Sequence, residues 1–175
     1  KIPTAATAQH HLILYRPHLL LTHTHHKMTT AVVRLRSSDD QVFEVDAAAA
    51  KISSLVANVL NDGAGEDNDD DNEIPLPLVR ADILRKVVEF CEHYEADPME
   101  EITTPLRSSD MSDLVQEWYA EYIDPLKHDL RVLFDLLLAA NFMEVGPLLE
   151  LGCAAVASLM RGRTAEEIRL TFNIT

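Results

Sequence analysis

The sequence predicts an α+β fold, an α/β arrangement in the broad sense, in which a short hairpin is followed mainly by helices. Apolar and polar side chains alternate on both sides of a polar turn between residues 33 and 45. Residues 81–94 repeat apolar side chains at the spacing of an amphipathic helix. From residue 130 onwards, two stretches are apolar on nearly every side. At 175 residues, the chain can fold as one domain with a sizeable core.

The first predicted element is a β-hairpin. Val33 and Leu35 alternate with arginines before a polar turn, and Phe43 and Val45 resume the alternation after it. Because successive side chains of a strand point to opposite faces, these apolar residues share one face. We expect that face to be buried.

Two short helices and an acidic loop are predicted after the hairpin. Asp46 is placed to cap the first helix, and either Ser53 or Ser54 to cap the second. Gly63 is expected to end the second helix. Residues 64–73 are rich in acidic side chains, whose mutual repulsion predicts a solvated loop.

An edge strand, a helix and an insert are predicted next. Residues 74–78 alternate apolar side chains with prolines, which donate no ladder hydrogen bond, so this segment is expected at a sheet edge. The amphipathic helix follows at residues 81–94. Residues 95–112 contain prolines and scattered charges and are predicted to be a variable insert, either a loop or disordered. Ser108 and Ser109 could be phosphorylated there, although such serines are too common to indicate modification.

The last third is predicted to be helical. The stretches "LRVLFDLLLAANFM" and "PLLELGCAAVASLM" contain few polar positions. Pro147 suits the first turn of the second helix, and Gly162 suits its end. A helix that is apolar nearly all round must be covered on more than one side. Either these helices are central to the fold, or another protein covers their outer side.

A final helix is predicted from a capping box. Thr164 and Glu167 have the spacing at which each side chain satisfies a backbone N–H of the other residue. Ile168 and Phe172, with Ile174 beyond them, lie about a turn apart. These apolar residues are too few to form a core by themselves. We expect them to pack against another surface.

Residues 1–27 differ from the rest of the chain. They contain six of the eight histidines and no acidic residue, and Met28 follows them directly. We interpret residues 1–27 as a flexible, His-rich or non-native tail outside the fold. Its origin could be an expression leader, an upstream extension of the gene, or a targeting peptide. No metal site is predicted there, because flexible histidine tracts are common.

Composition argues against several classes of function. The net charge of −14 repels phosphate backbones, so no nucleic-acid partner is expected. No stretch approaches the ~20 apolar residues of a membrane helix, so no membrane association is expected. Cys91 and Cys153 lie in apolar helical patterns and are predicted to be buried, reduced thiols. Reduced thiols favour a cytoplasmic and nuclear location.

No catalytic residue is predicted. The sequence contains no glycine-rich phosphate loop, no nucleophile elbow, and no Cys or Ser with a plausible His partner. His93 ends a predicted helix, where a cation interacts favourably with the helix dipole. We therefore expect a binding module that uses no cofactor and no metal.

Three segments carry a resemblance to a known family: "RLRSSDDQVFEVD", "IPLPLVRADILRKVVEFCEHY" and "LLLAANFMEVGPLLELGCAAVASLMRGRTAEEIRLTFNI". In order and spacing they resemble the Skp adaptor family over residues 32–174. The resemblance implies a BTB/POZ fold at residues 28–126 and a helical C-terminal region that binds the F-box at residues 127–175. Family members usually continue into one more helix, so this fold is expected to lack the usual last helix.

The same resemblance implies a function. Skp proteins are non-catalytic adaptor subunits of SCF-type E3 ubiquitin ligases, in which they bridge a cullin to F-box substrate receptors for ubiquitin-dependent proteolysis. The implied partners are therefore a cullin and an F-box protein. When no partner is bound, the exposed apolar helices are expected to favour a homodimer.

The binding residues follow from the resemblance position by position. Asn141 and Phe142 match the family's Asn-Tyr pair at the cullin surface, with Phe142 lacking the tyrosine hydroxyl. Six apolar positions match the face that the family presents to the F-box: Leu149, Val156, Leu159, Met160, Ile168 and Phe172.

Two other functions stay open. Elongin-C-like cullin adaptors share the BTB/POZ core and an "AANF"-type motif but end soon after it, so residues 147–174 argue against this alternative. An F-box-binding scaffold outside ubiquitin transfer, at a kinetochore or in trafficking, would use the same apolar surface. A cullin among the partners would distinguish the adaptor from the scaffold.

Overall fold

The computed structural model describes residues 31–62 and 73–174. The predicted tail, residues 1–27, and nearly all of the predicted acidic loop, residues 64–73, lie outside the described residues, as does Gly63. Their predictions therefore stay predictions. Within the two described ranges, no helix combines the length and apolar character needed to cross a membrane.

Three strands and seven α-helices make up the described fold, joined by loops and two 3-10 turns. The elements are β1 (Val32–Arg36), β2 (Val42–Asp46), α1 (Ala47–Ala50), α2 (Ser54–Asn61), β3 (Glu73–Pro75), α3 (Ala81–Ala96), the turn Met111–Asp113, α4 (Glu117–Ile123), the turn Asp124–His128, α5 (Leu130–Phe142), α6 (Gly146–Met160) and α7 (Ala165–Phe172).

The hairpin prediction is confirmed. Strands β1 and β2 pair antiparallel, with Val33 opposite Val45 and Leu35 opposite Phe43. Three of these four side chains are buried, and Phe43 is half-buried against the core. The apolar face predicted from the alternation is therefore the face that covers the core.

Strand β3 lies at the sheet edge, as its prolines predicted. The strand order is β2-β1-β3, and β3 runs parallel to β1 with Ile74 opposite Leu35. The predicted alternation holds for Ile74 and Leu76, which are buried, but is wrong for Leu78, which is 74% exposed. The chain turns after Leu76, so Val79 takes the inward position instead.

The two N-caps are also as predicted, and Ser53 rather than Ser54 is the second. The Asp46 carboxylate accepts a hydrogen bond from the Ala48 N–H at 2.8 Å. The Ser53 hydroxyl accepts one from the Val56 N–H at 3.2 Å. Each cap satisfies an N–H that has no partner inside its helix.

Helix α3 is the central helix and lies against both α1 and α5. Its inward face buries Ile83, Leu84, Val87, Phe90 and Cys91. The helix continues to Ala96, two residues beyond its predicted end at residue 94 and into the first two positions of the predicted insert. The 3.6-residue spacing located the helix correctly but not its end, which is the usual precision of a periodic pattern.

The predicted insert is an irregular loop that is fastened to the body. Ile102 and Met111 are buried, and the Tyr119 hydroxyl donates a hydrogen bond to the Asp97 carbonyl at 2.6 Å. His93 lies in the last turn of α3, as predicted, and its ring stacks on Trp118 with centroids 3.7 Å apart. This stack joins α3 to α4, a contact that the sequence pattern did not indicate.

Candidate functional site

The closest helix contact near the C-terminus is between α5 and α6. A Cβ placed on Gly152 would lie only 2.5 Å from Cδ2 of Leu137. Glycine at this position therefore lets the α6 backbone approach the α5 side chains closely. Inward residues such as Leu133 on α5 and Leu151 on α6 are fully buried, so these two helices are tightly packed.

The outer face of α5 remains largely uncovered. Phe134 is 41% exposed and Leu138 is 68% exposed. Residues four positions apart lie on one side of a helix, so these two side chains form a stripe. Asn141 follows on the same face, two turns and about 10 Å from Phe134 along the helix axis. Asn141 is exposed, whereas Phe142 is half-buried against the core.

The outer face of α6 forms a second stripe. Leu149, Cys153, Val156 and Met160 are spaced by three or four residues, which places them on one side of the helix. Leu149 and Val156 are half-buried, and Met160 is 39% exposed. Cys153 is exposed, so the prediction that both thiols are buried is correct for Cys91 and wrong for Cys153. Helical spacing assigns Cys153 to the outer stripe.

Helix α7 has the predicted capping box. The Thr164 N–H donates to Oε2 of Glu167 at 2.7 Å, and the Glu167 N–H donates to the Thr164 hydroxyl at 3.3 Å. Gly162, with φ of 71°, follows the end of α6 as expected. No residue of α7 is fully buried. The helix is locally stable at its start but has little anchoring to the rest of the molecule.

The apolar residues of α7 divide between two sides. Ile168 and Phe172 are half-buried, and the Phe172 ring lies 6.2 Å from that of Phe134 on α5. Leu170 on the opposite side is 77% exposed, and Ile174 beyond the helix is 56% exposed. Phe172 thus lies against α5, and a second apolar side of α7 faces outwards.

The turn between α5 and α6 is held by the start of α2. The Ser53 hydroxyl donates a hydrogen bond to the Met143 carbonyl, and the Ser54 N–H donates to the Glu144 carbonyl at 3.3 Å. Glu144 adopts a left-handed backbone conformation, with φ of 54°, which lets the turn reverse within three residues. These hydrogen bonds fix the position of Asn141 and Phe142 relative to α2.

The titratable groups near these helices are suited to structure rather than to chemistry. Hydrogen bonds from the Thr164 backbone and hydroxyl lower the pKa of Glu167. Burial, with a smaller contribution from Glu92, raises the pKa of the Cys91 thiol to about 12, which keeps it protonated and unreactive. In the part of the chain that the structure describes, no three His, Cys, Asp or Glu side chains are grouped so that they could hold a metal ion.

The sequence-derived site residues are therefore placed on a helical surface, most of them only partly exposed. Phe134, Leu138 and Leu170 are also exposed there but were not singled out from the sequence. For α5 the sequence did contain an indication of the exposed pair, because Phe134 and Leu138 are spaced by four residues on the side opposite Leu136. Phe172 is brought together with Phe134, a contact across 38 positions that no local pattern encodes.

A small mixed sheet packed against helices, followed by a helical extension with an uncovered apolar face, defines a BTB/POZ-like protein-interaction module. The chain belongs to the Skp1 family. The family model described as "Skp1 family, tetramerisation domain" matches residues 31–96, and the model described as "Skp1 family, dimerisation domain" matches residues 146–175.

Similar proteins come from distant organisms. The S-phase kinase-associated protein 1 homolog of Tetrahymena thermophila is 42% identical over 142 residues, which cover 81% of each chain. Suppressor of kinetochore protein 1 of Schizosaccharomyces pombe is 40% identical over 144 residues, covering 81% of this chain and 84% of that protein. SKP1-like protein 4 of Arabidopsis thaliana is 40% identical over 147 residues, covering 83% of this chain and 85% of that protein.

Proposed function

We propose that this protein is the adaptor subunit of an SCF-type E3 ubiquitin ligase, which bridges a cullin to F-box substrate receptors for ubiquitin-dependent proteolysis. The observation that carries the proposal is the uncovered apolar face of α5, α6 and α7 in a member of the Skp1 family. Uncovered apolar side chains of this kind are typical of protein-binding surfaces. The chain itself has no catalytic role in this proposal.

The F-box is proposed to bind the outer apolar residues of α6 together with Ile168 and Phe172, the half-buried apolar pair of α7. Their partial exposure supports this, because each side chain still has apolar area to bury against a partner. Complete burial of one such side chain contributes ~1.5–3 kcal/mol before ordering costs, so two or three would dominate the affinity. The proposed contact residues are Leu149, Val156, Leu159, Met160, Ile168 and Phe172.

The cullin is proposed to bind at the C-terminal end of α5, through Asn141 and Phe142. Asn141 is exposed and can form hydrogen bonds, while the neighbouring Phe142 is half-buried. These residues lie about two helical turns from Phe134, the ring partner of Phe172, so the two partners would bind neighbouring regions of one helical surface. We further propose that the complex acts in the cytoplasm and nucleus, and that the free protein forms a homodimer through the same apolar face.

The proposal is tested by purifying the tagged chain from its own cells and identifying the bound proteins by mass spectrometry. We expect both a cullin and F-box proteins. An Asn141→Lys variant should lose the cullin and retain the F-box proteins, and Val42→Ala, which truncates an exposed apolar residue on the sheet, should retain both. Recovery of neither partner would contradict the proposal.

One alternative has a specific observation in its favour. A relative at 40% identity carries the name Suppressor of kinetochore protein 1, which suits an F-box-binding scaffold outside ubiquitin transfer. The same purification distinguishes it, since a scaffold would bring F-box proteins without a cullin. A cullin without F-box proteins would instead indicate an Elongin-C-like adaptor, which the presence of α6 and α7 makes the weaker alternative.

A further inference from the structure

A groove beside the apolar face lies where the insert, the 3-10 turn Asp124–His128 and the end of α6 meet, and Leu159, a proposed F-box contact, is one of the residues that line it. Its volume is about 380 Å³. Although the whole chain carries a net charge of −14, this groove is rich in cationic side chains. The residues that line it include Ser109, Asp124, Lys127, His128, Arg161 and Arg163.

Each cationic side chain is held by one contact and has further N–H donors. Arg161 Nη2 donates to the Arg107 carbonyl of the insert at 3.1 Å, and Arg163 Nη1 donates to the Thr171 hydroxyl at 2.6 Å. Lys127 Nζ lies 2.7 Å from Oδ1 of Asp124. A guanidinium has five N–H donors and an ammonium has three. The groove can therefore donate several further hydrogen bonds to an anion.

The charge of Lys127 also reaches the insert. Hydrogen bonds from the Ser112 backbone and hydroxyl lower the pKa of Asp110, and the Lys127 ammonium lowers it further. Asp110 is the residue directly after Ser109. An anion on Ser109 would therefore lie within the field of Lys127, although Asp110 and Asp124 offset part of that field.

Ser109 is the serine of the insert whose hydroxyl is available. The Ser108 hydroxyl donates to Asp113 at 2.8 Å and accepts from the Asp110 N–H at 3.0 Å. The Ser112 hydroxyl donates to Asp110 at 3.0 Å. Among the described residues, the Ser109 hydroxyl forms no hydrogen bond, and Ser109 is exposed in the groove.

We propose that Ser109 is a phosphorylation site and that Lys127, Arg161 and Arg163 bind its phosphate within the same molecule. A phosphoserine carries about −1.5 to −2 charges at pH 7. Three cations and the Asp124 carboxylate leave two net positive charges among the groove residues, and the neighbouring Asp110 carboxylate offsets part of them. Guanidinium groups bind phosphate oxygens strongly because their N–H donors can contact two oxygens at once.

The modification needs a protein kinase and a nucleoside triphosphate. The Ser109 oxygen forms a bond to the γ-phosphorus, the bond from that phosphorus to the bridging oxygen breaks, and the nucleoside diphosphate leaves. The hydroxyl proton passes to a base of the kinase and then to solvent. Because Ser109 is exposed on an irregular segment, a kinase could reach it without unfolding the protein.

The bound phosphate would fix the junction between α6 and α7. Arg161 and Arg163 flank Gly162, whose φ of 71° marks the point where the chain changes direction. Helix α7 has no fully buried residue, so its direction depends on this junction and on the contact between Phe134 and Phe172. Phosphorylation of Ser109 thus couples the insert to the orientation of α7.

The test is a phosphorus NMR titration of the full chain with phosphoserine incorporated at position 109. The second pKa of phosphoserine is about 6, and bound cations should lower the midpoint by about 0.5 pH unit or more. Phosphoserine at position 112 is the matched control, since Ser112 lies in the same segment but beside Asp110. Its midpoint should be lowered less than that of phosphoserine 109.

A second set of proteins separates cation binding from other effects. Lys127→Met combined with Arg161→Gln in the phosphoserine 109 protein should return the midpoint to about 6, while circular dichroism confirms that the fold is retained. The proposal is wrong if phosphoserine 109 titrates no lower than phosphoserine 112, or if the double variant leaves its midpoint unchanged.

Discussion

The ring of Phe172 on α7 packs against the ring of Phe134 on α5, with 6.2 Å between their centroids and a tilt of 51°. This is the aromatic contact that joins α7 to the body of the protein within the described residues. Aromatic pairs in such a geometry contribute about 0.5–1.5 kcal/mol beyond their buried area. One modest contact therefore positions a helix on which the proposed F-box surface depends.

Replacement of Phe172 by alanine should weaken binding to an F-box domain at least tenfold, which corresponds to about 1.4 kcal/mol. The variant removes a half-buried ring from the proposed interface and also releases α7 from Phe134. The fold should be retained, because α7 contains no fully buried residue and so supplies none of the core. Isothermal titration calorimetry measures the affinity.

A matched control for that experiment is Val42→Ala on β2. Val42 is as exposed as Phe134, the ring partner of Phe172, at 41% each. Val42, however, lies on the sheet rather than on the helical face. Its affinity for the F-box domain should equal that of the unmodified protein. Equal affinities for Phe172→Ala and Val42→Ala would contradict the proposed position of the interface.

The two cysteines should differ sharply in reactivity. At pH 8 a maleimide should modify Cys153 rapidly and Cys91 hardly at all, because Cys91 is buried with a pKa raised to about 12. At that pH only about one in ten thousand Cys91 thiols would be ionised. Mass spectrometry should show one label on the native protein and no rapid label on Cys153→Ser.

Cys153 also reports on the partner. It lies on the same stripe of α6 as Leu149 and Val156, so a bound F-box domain should cover it and slow its modification. Labelling at an unchanged rate in the presence of saturating F-box domain would show that the partner does not cover this face of α6.

The Ser53→Ala variant should be less stable by about 1–3 kcal/mol. Ser53 is 1% exposed, caps α2, and donates to the Met143 carbonyl in the turn after α5. Its removal leaves buried backbone groups with fewer hydrogen bonds. Urea denaturation gives the free energy of unfolding. Ser54→Ala, at an exposed neighbouring position, should change it by less than about 0.5 kcal/mol.

The start of α7 should depend on pH. Hydrogen bonds from the Thr164 backbone and hydroxyl lower the pKa of Glu167 below its ordinary value of 4.5. A carboxylate with a lowered pKa stabilises the folded helix above pH 4.5, and this contribution is lost as the pH falls through the lowered value. The helical Cα shifts of residues 165–170 should therefore decrease between pH 5 and pH 3.

The matched variant for that titration is Glu167→Gln. Glutamine can also accept the capping hydrogen bond but does not titrate in this range. The helical shifts of the variant should stay constant from pH 5 to pH 3. An identical decrease in both proteins would assign the pH dependence to another carboxyl group.

Much of the fold was predictable because its elements are encoded locally. The hairpin register follows from alternation around one turn, and the caps at Asp46 and Thr164 follow from side chains that reach backbone groups two or three residues away. The boundaries were predicted less precisely. Helix α3 continued to Ala96, and Leu78 turned outwards where alternation predicted an inward side chain.

The site was predictable only in part. A helix that is apolar nearly all round must be covered on more than one side, but the pattern does not show which side faces the core. Leu138 and Cys153 were assigned to the surface by the way in which α5, α6 and α3 pack. The predicted contact residues at Asn141, Phe142 and along α6 and α7 stay predictions, since no partner is present to test them.

The sequence by itself determined the strands, the helices, their caps and the membership of a known family, because these depend on spacings within one element or on resemblance along the chain. Only the tertiary structure decided which faces are left open. It also placed Ser109 in one groove with Lys127 and Arg161, and brought Phe134 beside Phe172. Such contacts depend on how packed elements divide one core between them, and no local spacing encodes that division.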